Sequence, residues 1–221
     1  MLVPKTVVIN CAGTGERLGM NIPKSLVNVC GKPMIHWQLE MLSEIEDVRI
    51  VIGFKAKEML ETVFKVRRDI CFRFNHDYGS TGTAHSLALG AMHAKNTVLS
   101  LDGDLLVHPE DLRTMLQAKH ECLGVSPPTS DEPVYVQLDS NGNQINAKSF
   151  SRISGDAEWT GLVQLAPEKI KAGYHHVYHL LETHLPIRAL EVRTREIDTP
   201  NDYNEAVKWV EKLINQGVLH G

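Results

Sequence analysis

The sequence predicts a three-layer, Rossmann-like α/β domain on a mixed, mostly parallel sheet, and three observations carry that prediction. Short β-branched apolar runs alternate with segments whose apolar residues recur at helical spacing. The first run leads straight into a glycine loop, and in such sheets ligands bind beyond the carboxyl ends of the strands. A polar turn containing Asn-Gly joins two later runs and marks a small antiparallel excursion. The 221 residues, 43% of them hydrophobic, suffice for one full core, so one domain over 1–221 is expected, with the excursion at about 121–165.

The opening strand is Thr6-Val7-Val8-Ile9, and the loop Cys11-Ala12-Gly13-Thr14-Gly15-Glu16-Arg17 follows it. Gly13 and Gly15 can take positive φ and, having no Cβ, let backbone N–H groups close on a phosphate or the edge of a base. Arg17 and Lys24 add two cations within reach of the same loop. A Walker A loop needs Lys and then Ser or Thr after its last glycine, but Met20 follows Gly19, so that reading fails. A dinucleotide fingerprint needs a third glycine where Leu18 stands, and an acid after the second strand, where Phe54 and Lys55 stand. The dehydrogenase reading is therefore weak.

Residues 25–29 read as a short extended piece, and Pro33 as the first residue of a helix carrying Ile35, Leu39 and Leu42. Strands over 48–52 and 70–74 flank a helix over 55–65. The polar loop from Tyr78 through Gly82-Thr83-Ala84 then enters a helix whose N-terminal N–H groups suit an anion or a base. Ordinary capping by Ser80, Thr81 or Thr83 accounts for it equally well. The strand over 96–101 ends in Asp102-Gly103-Asp104. Two carboxylates there repel unless solvated or neutralised, and a hard divalent cation is the usual neutraliser.

His108-Pro109-Glu110-Asp111 opens the next helix with an acidic first turn. Strands over 122–125, 134–138 and 144–150 follow, the last two joined by Asp139-Ser140-Asn141-Gly142-Asn143, and Lys148 lies on the last. Residues 158–163 form a strand in which Gly161 allows close approach. One helix is expected over 167–181, with His175, His176 and His179 on a polar face. A late strand covers 187–192. Thr199 and Pro200 then read as the N-cap and first residue of a closing helix.

A net charge of −4 and a pI near 6.3 argue against general nucleic-acid binding, so any anionic ligand must be held by local groups. The four cysteines form no C-x-x-C pair, which indicates neither zinc nor a disulfide framework and fits a reducing, cytoplasmic setting. No apolar stretch reaches the ~20 residues of a bilayer span, and the opening residues carry no cleavage pattern.

Gly13-x-Gly15-x-Arg17 with Pro23-Lys24, then Gly82-Thr83-Ala84, then Asp102-Gly103-Asp104, keep the order of the motifs of nucleotidyltransferases. So do Lys148 with Gly161 thirteen residues later, and Glu196-Ile197-Asp198-Thr199-Pro200 with Asp202-Tyr203. The chain resembles that family, and its closing motif resembles that of phosphocholine-type cytidylyltransferases. The resemblance implies a GT-A-like fold and transfer of a nucleotide from a nucleoside triphosphate to a phosphorylated acceptor, with release of pyrophosphate. It implies Mg²⁺ between Asp104 and Asp198, with Asp102 orienting a metal-bound water beside the nucleotide. Ala12, Gly13, Thr14 and Gly15, with Gly82, Thr83 and Ala84, would hold the nucleotide. Arg17 and Lys24 would meet its phosphates, and Lys148 the acceptor's phosphate.

CTP and a small phosphorylated or phosphonate acceptor are the expected pair, with phosphocholine, phosphoethanolamine and aminoethylphosphonate as examples. A sugar 1-phosphate nucleotidyltransferase is the alternative. The glutamate that precedes the lysine in those enzymes is Ala147 here, which weighs against a hexose. A nucleotide-binding regulatory module without turnover is the remaining reading.

Overall fold

A computed structural model describes residues 4–15, 18–19, 21–142 and 144–220. β1 (Thr6–Cys11) leads through the glycine loop to a 3₁₀ turn (Lys24–Leu26), β2 (Asn28–Val29), β3 (Lys32–Pro33) and α1 (Met34–Met41). Next come β4 (Asp47–Ile52), α2 (Ala56–Val63), β5 (Cys71–Phe74), α3 (Thr83–Ala91), β6 (Val98–Asp102), β7 (Leu105–Val107) and α4 (Pro109–Gln117). β8 (Cys122–Ser126), β9 (Tyr135–Asn141), β10 (Gln144–Ser151) and β11 (Ala157–Leu165) follow. A second 3₁₀ turn (Pro167–Lys169), α5 (Val177–Glu182), β12 (Ile187–Glu191), β13 (Thr194–Glu196) and α6 (Pro200–Asn215) complete the order.

The main sheet has nine strands in the order β5-β4-β1-β6-β11-β8-β12-β10-β9. β10 and β11 run against the others, so seven strands share one direction, and the sheet is mixed, with four parallel and five antiparallel pairings among the described residues. β9 pairs with β11 as well as with β10, which curls the far end into a closed ring of five strands. Closure leaves that end without an open edge.

β1 explains why the opening strand reads as an unbroken apolar run. Val7, Ile9 and Cys11 pack on one face with Ile35 and Leu39 of α1, Met59 and Val63 of α2, and Leu112 and Met115 of α4. Val8 packs on the other face with Leu87 of α3 and Leu180 and Leu181 of α5. A strand covered on both sides has no polar face to show. A third apolar cluster seals α6 onto the outer side of α1, through Ala206 and Val210 against Met34 and Trp37.

Four expectations are revised. The extended piece expected over 25–29 begins only at Val27; residues 24–26 form a 3₁₀ turn, because Leu26 N–H donates to the Pro23 carbonyl and Val27 N–H to that of Lys24. Pro33 stands just before α1 and not inside it, since its ψ of 146° is extended. The expected helix over 167–181 is broken: only Val177–Glu182 is helical beyond the 3₁₀ turn. Gly173 sits at φ +105°, and the His175 carbonyl accepts from the Ala84 N–H, a bond between segments that a continuous helix would have used internally. Finally, β7 and β13, each three residues long, pair with each other outside the main sheet and were not foreseen as a ribbon.

Candidate active site

The site lies beyond the carboxyl ends of β1 and β6, where the loops of four segments meet. β6 ends at Asp102, and Gly103 turns the chain back: its N–H donates to the Asn10 carbonyl at 2.9 Å. A Cβ at position 103 would stand 2.6 Å from Cys11 Sγ and 3.3 Å from Ser25 Cβ, so only glycine lets this turn settle against β1 and the Lys24 turn. From below, the buried Gln38 of α1 donates through one Nε2 to the carbonyls of Asp102 at 2.8 Å and Leu105 at 2.7 Å. Gln38 carried no motif and was missed. A polar residue inside an apolar helix stripe was the available signal.

The β7–β13 ribbon then brings in the second acid. Leu105 pairs with Glu196, and Ile197 N–H donates to the Asp104 carbonyl at 3.0 Å, so the ladder runs on to set Asp198 beside Asp104. A reciprocal capping box holds this end of α6: Thr199 Oγ1 accepts from Asp202 N–H, while Asp202 Oδ2 accepts from the N–H groups of Thr199 and Asp198. The carboxylate oxygens of Asp104, Glu196 and Asp198 lie within 4.8 Å of one another. Glu196 was not among the expected ligands, although it stands in the same closing motif.

Like charges ~5 Å apart at an effective dielectric near 20 repel by on the order of 3 kcal/mol, so such a trio calls for a cation. Lys24 provides one. Its ammonium is 2.8 Å from Asp104 Oδ2 and is also paired with Asp198 Oδ1. The three side chains are only 14–19% exposed, which shields these pairs from water. Three carboxylates are hard oxygen donors of the kind Mg²⁺ takes, and the ammonium between two of them shows that the cradle accepts a positive charge.

Asp102 faces the same space. Burial, then the charge of Asp104, push its carboxyl up to about 7, against a hydrogen bond from Asn10 and the Lys24 charge, which pull it down. Gly161, at φ +82° in a bulge of β11, leaves room for it: a Cβ there would be 2.8 Å from Asp102 Oδ2.

Of the other expected residues, Gly15 takes φ +67° and passes close to the Lys24 stem, while Gly13 borders open space. The Ala12 carbonyl accepts from Phe54 N–H, and a Cβ at Gly53 would touch both that carbonyl and the ring of Tyr78, so the loop after β4 sits between those after β1 and β5. Asn75, 2% exposed, fixes the second loop by donating to Thr81 Oγ1 and Ser86 Oγ.

Gly82, Thr83 and Ala84 lie under the segment leading into α5. The Ala84 N–H is spent on His175, and Thr83 Oγ1 accepts from Val177 N–H at 3.2 Å. The end of α3 therefore offers fewer free donors than the sequence suggested. Lys148 is exposed at a bulge of β10 and has no ion-pair partner among the described residues. Thr14 is half-buried, and Arg17 falls outside the described residues. His176 stacks on Tyr178, His179 lies tilted against both of those rings and His175 meets His176 edge-on; the three histidines form no metal cluster of three among the described residues.

Fold and site together define a GT-A-like α/β domain that gathers a lysine and several carboxylates at the strand ends, the architecture of a nucleotide-handling enzyme. The model of the MobA-like NTP transferase domain matches residues 7–188, and the chain belongs to that family. It is 30% identical over 143 residues to the bifunctional protein GlmU of Neisseria meningitidis serogroup B, covering 62% of this chain and 31% of that protein. The chain spans less than half the length of the curated relatives it matches.

Among solved structures, CTP:phosphocholine cytidylyltransferase (LicC) of Streptococcus pneumoniae superposes with a TM-score of 0.74 at 20% identity, covering 94% of this chain and all of that one. UDP-glucose pyrophosphorylase in complex with UDP-glucose gives 0.77 at 16% identity, covering 95% and 99%. At these identities the likeness is one of fold.

Proposed function

We propose that the chain is a nucleotidyltransferase that moves CMP from CTP to a small phosphorylated or phosphonate acceptor and releases pyrophosphate. The observation that carries the reading is the meeting of Lys24 with Asp104 and Asp198, three residues from distant parts of the chain. An acceptor oxygen attacks the α-phosphorus, the bond from that phosphorus to the β-phosphate oxygen breaks, and pyrophosphate departs with the electron pair. A phosphomonoester has a second pKa near ~6 and is ionised at neutral pH, so no protein base has to take a proton from it. The work left to the protein is to hold two anions together and to stabilise charge on the leaving group.

In this reading Lys24, with Arg17, binds the triphosphate, and residues 12–15 line it with backbone N–H groups. Gly82, Thr83 and Ala84 flank the base. Lys148 holds the acceptor's phosphate from the β9–β10 side, which makes residues 121–165 the acceptor wall. Asp104, Asp198 and Glu196 would hold Mg²⁺, which when bound neutralises phosphate charge.

CTP is favoured by the closing motif, Glu196-Ile197-Asp198-Thr199-Pro200 with Asp202-Tyr203. The thirteen-residue step from Lys148 to Gly161 favours the second reading, a sugar 1-phosphate acceptor.

The test is pyrophosphate release from a panel of the four ribonucleoside triphosphates against phosphocholine, phosphoethanolamine, aminoethylphosphonate and sugar 1-phosphates. Turnover is expected with CTP and a small amine acceptor. Losses of ~10²- to 10³-fold or more are expected in folded Lys24→Ala and Asp198→Ala, the scale of one lost transition-state contact. Near-normal turnover in both variants would refute the assignment.

A further inference from the structure

This inference rests on the reading of Asp104 and Asp198 as ligands of a divalent cation. The Lys24 ammonium occupies the space a shared ion would need, 2.8 Å from Asp104 Oδ2 and paired to Asp198 Oδ1. A small divalent ion binds carboxylate oxygen at ~2.0–2.1 Å, so ion and ammonium cannot both sit between the same two oxygens. The lysine's stem packs against Gly15, where a Cβ would stand 3.0 Å from Lys24 Cγ, so the lysine reaches the acids through space that only a glycine leaves.

We propose that Lys24 is a built-in counter-ion that an incoming divalent cation displaces, and that the displaced ammonium is then the group offered to the phosphates. Without the ion, the lysine neutralises the acids and is itself neutralised, so neither partner is available. Once the ion is bound, a lysine beside neutralised acids has lost its partners, and a polyphosphate provides new ones. The two ligands are therefore coupled: each raises the affinity of the other, and by the same factor.

Mn²⁺ serves as the probe, with free ion followed by electron paramagnetic resonance on the full chain. Lys24→Met is expected to bind Mn²⁺ about tenfold more tightly than the wild type when no nucleotide is present, within the usual range for coupled sites. Equal or weaker binding by Lys24→Met overturns the exchange and leaves the cation site standing. Saturable binding by neither protein overturns both. Removing a positive charge could by itself tighten the ion, so crystals of the wild-type chain soaked in Mn²⁺ decide the geometry. The anomalous peak is expected between Asp104 and Asp198 with the Lys24 ammonium withdrawn. An ion bound while Lys24 still bridges both carboxylates overturns the proposal, whether or not the variant folds.

Discussion

At the scale of single residues, the site is shaped as much by missing side chains as by charged ones. Gly161 shows this most directly, because its φ of +82° and the nearness of Asp102 Oδ2 each exclude a Cβ. Gly161→Ala is expected to lower stability by ~1–2 kcal/mol from the left-handed backbone alone. It should also reduce turnover by pushing Asp102 off its hydrogen bond with Asn10. Urea unfolding and pyrophosphate release check the two effects, and an unchanged unfolding midpoint would show that the strand relaxes around the new methyl group. The sequence marked Gly161 by its distance from Lys148, but nothing in it indicated that the neighbour would be Asp102. The two residues belong to strands that pair through Val163 and Ser100, a contact set by sheet order.

At the scale of elements, the start of α6 does two jobs. The capping box that stops the helix from fraying also orders the N–H groups of Asp198 and Thr199 on Asp202 Oδ2, at 3.2 and 2.8 Å. Thr199→Ala should cost ~1 kcal/mol, the usual loss for an N-cap hydroxyl. It should also raise the Mg²⁺ concentration needed for half-maximal transfer, because the Asp202 carboxylate that holds the Asp198 N–H loses its own bond from the Thr199 hydroxyl. Thr199→Ser keeps the bond and should restore both. A variant that loses stability while keeping its Mg²⁺ requirement would separate the cap from the site. Thr199-Pro200 was readable as a helix start, because Pro at the first position and a hydroxyl before it act locally. The β7–β13 ribbon was not, since three-residue strands have too little pattern to announce a partner 89 residues away.

At the scale of the molecule, the family match ends at residue 188, yet half of the Lys24–carboxylate cluster lies beyond it. Glu196 and Asp198 reach the site on the β7–β13 ribbon, and the α6 that follows them covers Met34 and Trp37, both fully buried. Truncation after Val192 should therefore remove two acids and expose an apolar surface at once. The expected outcome is loss of transfer and of a cooperative thermal transition, checked by pyrophosphate release and calorimetry. A truncated chain that melts like the parent and keeps its turnover would show that the site is complete without its last segment.

The amino-acid sequence determined the things that act over short range. These include the strand-loop-helix rhythm, the glycine loop, the hairpin at Asn141-Gly142, the Thr199-Pro200 start of α6 and the chemical types at the site; the capping expected of Ser80, Thr81 or Thr83 is absent, since Gly82 is the N-cap of α3 and no side chain caps it. The broken helix before α5 marks where this failed, because a carbonyl at His175 found the Ala84 N–H across the fold and outweighed the apolar spacing. Tertiary structure decided which of the candidate groups share a space. Lys24, Asp104 and Asp198 are far apart along the chain, and they meet because sheet order and one short ribbon bring three loops to the same edge. Local patterns record the preferences of neighbouring residues, whereas such a meeting depends on how whole elements pack, and no short stretch of sequence contains that.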